Sequence, residues 1–192
     1  MYPRKFEDLI IAFQKLPGVG AKTAERYAFH ALEWDEETIN EMIDSLQGLK
    51  SIHHCKVCGN LSDEDICEFC KNEYRDHQVI CVVQSPKDIG VIEGMQEFSG
   101  VYHVLNGVIN TQKGILPDQL NIDTLMKRIN EDTKEVILAL DPTVEGETTA
   151  LYLSKLLENK VTVTRLAHGI PVGGHLDYTD ARTLQKAFQG RK

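Results

Sequence analysis

Apolar positions in the first fifty residues recur with the 3.6-residue period of helices, whereas from residue 79 they gather into short unbroken blocks. Phe6, Leu9, Ile10 and Phe13 share one helix face, and Ala24, Tyr27, Ala28 and Ala31 share another. A further face carries Ile39, Met42, Ile43, Leu46 and Leu49, and it suits packing within the subunit as well as packing against a neighbouring copy. Beyond residue 79, β-branched blocks alternate with helical patterns: 79–83 then 88–96, 102–105 then 123–130, 136–140 then 147–157, and finally 161–166. Strands that are apolar at successive positions, not alternate ones, predict a parallel sheet covered on both faces. Ala150, Leu153, Leu156 and Leu157 then form the sheet-facing side of the third crossover helix. A last helix is expected over 179–188, and the charged stretch 74–78 marks the start of the α/β domain.

Between the first two helical patterns lies Leu16-Pro17-Gly18-Val19-Gly20-Ala21-Lys22-Thr23. Pro17 ends the first helix, and Gly18 and Gly20 reach backbone angles closed to residues with a Cβ. The unpaired N–H groups that open the second helix, at the positive end of its dipole, suit a phosphate oxygen. Lys22 and Arg26 lie four apart on that helix and reach the same stretch of backbone. A nucleotide-binding P-loop is excluded, because Gly does not directly precede Lys22 and no strand precedes the turn. A plain αα-hairpin with purely structural glycines stays open as the alternative.

Cys55-x2-Cys58 and Cys67-x2-Cys70 are two pairs separated by eight residues, with Gly59 placed for a tight turn. Four thiolates at this spacing close a tetrahedron around one structural Zn²⁺. With every ligand position filled, no place is left for water or substrate, so the metal's role is folding energy and not catalysis. His53 and His54 read as neighbours of this centre, and Cys81, alone in an apolar strand, as a small buried hydrophobe.

The chain has 192 residues, 21 basic and 29 acidic, with a net charge of −8. A uniformly basic nucleic-acid surface is therefore excluded, and any contact with DNA must be local or repeated in an oligomer. Charged residues from Arg4 to Asp8 leave no room for a signal peptide, and no run is long enough to span a membrane, so a cytoplasmic protein is expected. Loops at the carboxyl ends of the first and third strands carry the remaining chemistry. Asp141, Glu145 and Glu147 in the second loop can gather a divalent ion, with Asp88 and Glu93 near the first; equally, these are helix N-terminal carboxylates that complement a dipole.

Hairpin, four-cysteine module and α/β domain, in that order, resemble the RecR family of bacterial recombination mediators along the whole chain. The resemblance is sharpened by 81–88 (Cys-Val-Val-Gln-Ser-Pro-Lys-Asp), Tyr102-His103-Val104-Leu105, 142–147 (Pro-Thr-Val-Glu-Gly-Glu) and 168–174 (His-Gly-Ile-Pro-Val-Gly-Gly). Hydrophobic-Pro-Gly-hydrophobic-Gly-x-Lys is similar to the helix-hairpin-helix motif, which implies sequence-independent binding of DNA by Gly18, Gly20, Lys22 and Arg26. The α/β part resembles a Toprim domain. Catalytic Toprim domains carry Glu where this chain has Gln84, and Asp-x-Asp where it reads Asp141-Pro142-Thr143. The resemblance thus implies a non-enzymatic protein that acts with RecO and RecF to load RecA at single-stranded gaps; an acidic loop that lacks a metal set suits a partner surface, so Asp141, Glu145 and Glu147 are the candidate contacts for RecO or RecF. The resemblance also implies dimers or a tetrameric ring, with an exchanged carboxy-terminal region.

The expected architecture is an α+β assembly of modules: a helix-hairpin-helix region (1–53), a small four-cysteine zinc module (54–76), a Toprim domain with a mainly parallel four-stranded sheet (77–170), and a terminal loop and helix (171–192). A metal-dependent nuclease or primase-like enzyme and a scaffold that binds only proteins are the competing functions.

Overall fold

The computed structural model describes residues 2–191, so the outermost residues of the first and last expected modules lie outside the described residues. The chain forms two compact units, 1–51 and 52–192.

In the first unit, α1 (Arg4–Gln14) and α2 (Ala21–Ala31) form an αα-hairpin. Ala24 and Ala28 are fully buried, and Phe6 is buried beside Tyr2 and Phe29, whose ring centroids lie 5.1 and 4.9 Å away. Tyr27, on the expected face but 39% exposed, stands edge-on to Phe13 at 5.8 Å. Asp35 caps α3 (Glu36–Gly48) by accepting the Thr38 N–H at 2.9 Å. No residue of α3 is buried, and its apolar face lines an open groove with Leu9, Phe13 and Trp34.

In the second unit, the short antiparallel pair β1 (His53–His54) and β2 (Leu61–Ser62) and the single-turn α4 (Glu68–Lys71) frame the cysteines. The α/β part follows as β3 (Asp76–Val83), α5 (Pro86–Glu93), β4 (Gly100–Val104), α6 (Ile122–Arg128), β5 (Glu135–Ala139), α7 (Val144–Leu157) and β6 (Thr162–Arg165), and α8 (Ala181–Gln189) ends the chain. The four strands pair in parallel in the order β4-β3-β5-β6. Successive residues supply opposite faces. Ile80, Val82, Val136 and Leu138 pack with Leu125, Leu153 and Leu157 of α6 and α7. Cys81, Val83, Tyr102 and Ala139 pack with Ile89 of α5 and Phe69 of α4. The sheet is thus covered on both sides, as its unbroken apolar blocks predict. Although β4 is an edge strand, all five of its residues are buried, because the cysteine module and the chain before α6 lie along it. The helix read over 88–96 runs over 86–93 instead: Pro86 suits its first turn, and Ser85 and Asp88 form a capping box before it.

Candidate functional site

The turn between α1 and α2 adopts the geometry its glycines allow. Gly18 takes φ +79°, in the left-handed region, and Val19 N–H closes the turn onto Leu16 C=O at 3.1 Å. Gly20 is the N-cap of α2 and brings no side chain to its amides, so the N–H groups of the first turn are left to solvent at the positive end of the dipole. No acidic side chain occupies that turn. Lys22 and Arg26 are exposed, and neither forms an ion pair among the described residues; the Arg26 guanidinium lies 5.8 Å from the Tyr27 ring centre. Open amides and the helix dipole thus lie at the turn, with two exposed cations four residues apart on the helix that follows, a set whose chemistry suits a phosphate and offers nothing that reads a base.

The four sulfurs of Cys55, Cys58, Cys67 and Cys70 lie within 4.8 Å of one another. Zinc–thiolate bonds of about 2.3 Å in a tetrahedron place sulfurs just under 4 Å apart, so the cluster fits one Zn²⁺. Its loops are tied internally. Gly59 N–H reaches Cys55 C=O at 2.9 Å, Cys55 N–H reaches Asn60 C=O at 2.7 Å, and Cys67 N–H points at the Cys55 sulfur at 3.3 Å. Gly59 takes φ +75°, and a Cβ there would collide with Asn121 Nδ2. The hydrogen bond between Cys58 and Cys67 raises the first thiol and lowers the second. His54 is no ligand: its Nδ1 lies 3.0 Å from Gly59 C=O and supports the turn.

Beside this centre stands a cluster of side chains with no local signature in sequence. Arg75 donates to Glu93 at 2.5 Å and to Gly100 C=O at 2.7 Å, Tyr102 donates to the other Glu93 oxygen, and the guanidinium stacks 4.8 Å from the centre of the Phe69 ring. Burial opposes the charge on Glu93, but the bonds from Arg75 and Tyr102 outweigh it and hold the carboxyl below its usual range. Glu93 is therefore committed to Arg75, and Asp88 to capping Ser85 N–H at 2.9 Å. Neither joins a metal set with Asp141.

At the carboxyl ends of β3 and β5, Gln84 donates its side-chain amide to Asp141. An amide occupies the place a second carboxylate would need, and it engages Asp141 in a hydrogen bond. Glu145 accepts from Asn110 at 3.2 Å. Glu147 turns away from both: it accepts from Arg165 at 2.7 Å and lies 3.7 Å from His168 and 3.9 Å from Lys186. The Arg165 bond lowers its pKa, burial opposes that, and the surrounding cations add to the lowering. The three acids of this loop face three different neighbours.

His103 is fully buried. Arg128 donates to its Nδ1 at 3.2 Å, so Nε2 carries the proton and donates to Asn121 C=O at 2.6 Å. Desolvation drives its pKa down to about 4, the Asn121 carbonyl opposes the shift, and the Arg128 charge adds to it. Burial likewise pushes the Cys81 thiol up to about 12 and leaves it inert.

The sheet and its loops define a Toprim protein, and the model of the Toprim domain matches residues 78–167. Around it, the RecR helix-hairpin-helix matches 6–50, the RecR four-cysteine zinc finger domain 52–72 and the RecR carboxy-terminal segment 169–192. The chain is 51% identical to Recombination protein RecR of Natranaerobius thermophilus over 194 aligned positions that span all of this chain and 98% of the relative. It belongs to the RecR family of recombination proteins, and its four cysteines form that family's site for one zinc ion. No helix among the described residues is long and apolar enough to cross a membrane.

Proposed function

We propose that this chain is a non-enzymatic DNA-repair mediator in the bacterial cytoplasm. It binds single- and double-stranded DNA without sequence preference and acts with RecO and RecF to load RecA at single-stranded gaps. The observation that carries this reading is the hairpin at Gly18–Gly20, whose open amides and unpaired Lys22 and Arg26 offer a phosphate-sized anion site on a chain of net charge −8. One such site is weak. Several copies facing the lumen of a dimeric or tetrameric ring add avidity without a new type of contact, which reconciles an acidic protein with a polyanionic ligand.

Catalysis is left out of this reading because Gln84 stands where metal-dependent phosphoryl chemistry needs a carboxylate, and it occupies Asp141 by hydrogen bonding. Asp141 and Glu145 then serve as contacts for RecO or RecF, with Glu147 acting through the loop it fixes. Photo-crosslinking to a bromouridine-substituted gapped oligonucleotide, followed by peptide mapping, tests the site. Adducts within 16–27 are expected; adducts confined to the second unit would overturn the assignment.

A further inference from the structure

A cavity of about 310 Å³ lies in the second unit, distinct from the metal centre and the Gln84–Asp141 pair. It opens between the start of α7, the chain after β6, and α8, and is lined by Pro142, Glu147, His168, Arg182, Thr183 and Lys186. Its size is at the small end of clefts that take small ligands, about 300–1,000 Å³.

The charge here runs against that of the chain. Arg182 and Lys186 line the cavity four residues apart on α8, and Arg165 stands behind it, against a single lining carboxylate, Glu147. Arg165 holds that carboxylate at 2.7 Å, whereas Lys186 is 3.9 Å away. Arg182 is in no ion pair among the described residues. Its nearest acid in sequence, Asp180, is turned back to cap α8, accepting the Arg182 and Thr183 N–H groups at 3.0 Å each and the Thr183 hydroxyl at 2.6 Å. With Glu147 and Arg165 cancelling, a surplus of two positive charges faces the cavity. It also lies at the carboxyl end of the parallel sheet, where open α/β sheets receive ligands, whereas the amino terminus of α7 beside it is already capped by Thr143 and carries Glu145 and Glu147 in its first turn.

We propose that this cavity binds a phosphate group, carried by a nucleotide or by a nucleic-acid strand, with Arg182 and Lys186 as its contacts and Arg165 screening Glu147. A surplus of two charges, Arg182 and Lys186, matches a phosphate better than a single carboxylate. The inference does not depend on the hairpin's being a DNA site.

The test titrates the full chain with two probes, a fluorescent adenosine diphosphate and a labelled single-stranded oligonucleotide. Arg182→Glu leaves the Lys186–Glu147 approach in place, and Arg182→Gln repeats the test without adding an acid; melting curves establish that both are folded. Whichever probe enters the cavity should bind at least tenfold more weakly to Arg182→Glu and about tenfold more weakly to Lys186→Gln, since each loses a charge-assisted contact. A response to the nucleotide identifies the nucleotide as the source, and a response to the oligonucleotide alone identifies the strand. Lys22→Ala/Arg26→Ala should leave the nucleotide titration unchanged, so failure at the hairpin is distinguishable from failure here. A folded Arg182→Glu or Arg182→Gln protein that binds both probes like wild type, or a wild type that binds neither, overturns the proposal.

Discussion

The backbone N–H of Val104 donates a 2.7 Å hydrogen bond to the carbonyl of Cys58. Through that bond the metal module covers β4, the edge of the sheet, which would otherwise present unpaired donors to other chains. Asn121 completes the cover by donating its side-chain amide to Val104 C=O at 2.9 Å. Zinc binding therefore bears on the Toprim sheet as well as on its own loops.

Removing the metal should uncover that edge. Strong chelation or Cys58→Ser is expected to release one zinc per chain, lower the melting temperature and speed hydrogen exchange at Val104 N–H. Retained zinc with an unchanged melting curve would show that the four thiols are not its ligands. Gly59→Ala should act in the same direction with all four ligands kept, because φ +75° and the contact with Asn121 both disfavour a Cβ.

Breaking the Arg75–Glu93 pair should be expensive, because its side chains are only 14% and 30% exposed. Arg75→Ala is expected to cost about 2 kcal/mol in urea denaturation, since it leaves Glu93 with Tyr102 as its remaining partner and unstacks Phe69. A loss below about 0.5 kcal/mol would reduce the pair to a surface contact.

His103 predicts a leg of acid instability. Its folded pKa, about 4, lies below the ordinary 6.5 of the unfolded chain, so the unfolded state takes up the proton first. Stability is full above pH 6.5 and falls as the pH drops toward 4, by about 3 kcal/mol. Denaturation midpoints at about pH 7 and pH 4.5, on either side of most of that fall, should differ less in His103→Asn than in wild type; equal differences would contradict the assignment.

Asp141→Lys and Glu145→Lys should weaken capture of RecO or RecF and leave oligonucleotide affinity unchanged or improved. Loss of DNA binding would instead place these acids on the DNA path. Nicked plasmid incubated with Mg²⁺ or Mn²⁺ should stay intact, and turnover abolished by Asp141→Ala would reinstate the enzyme.

What can be read in the sequence divides by range. The helices around Gly18–Gly20, the parallel strands and the cysteine set follow from spacing within about twenty residues, and the structure contains them. The strand order, the cover over β4 and the Arg75 cluster do not. Arg75 falls in a charged stretch that reads as a boundary, yet its partners are Glu93 and Gly100. Glu147 reads as a loop acid beside Asp141, and only tertiary packing turns it toward Arg165, His168 and Lys186. Carboxylates close in sequence read as one metal set, while capping and ion pairing draw them apart.

Fluorescence anisotropy of a labelled gapped oligonucleotide, titrated at several salt concentrations, tests DNA binding by the hairpin most directly. Wild type should bind with a steep salt dependence, and Lys22→Ala/Arg26→Ala should lose affinity and reduce the slope of log K against log salt by about 1.5 per engaged subunit. Coincident curves for the two proteins would contradict the hairpin as the DNA site.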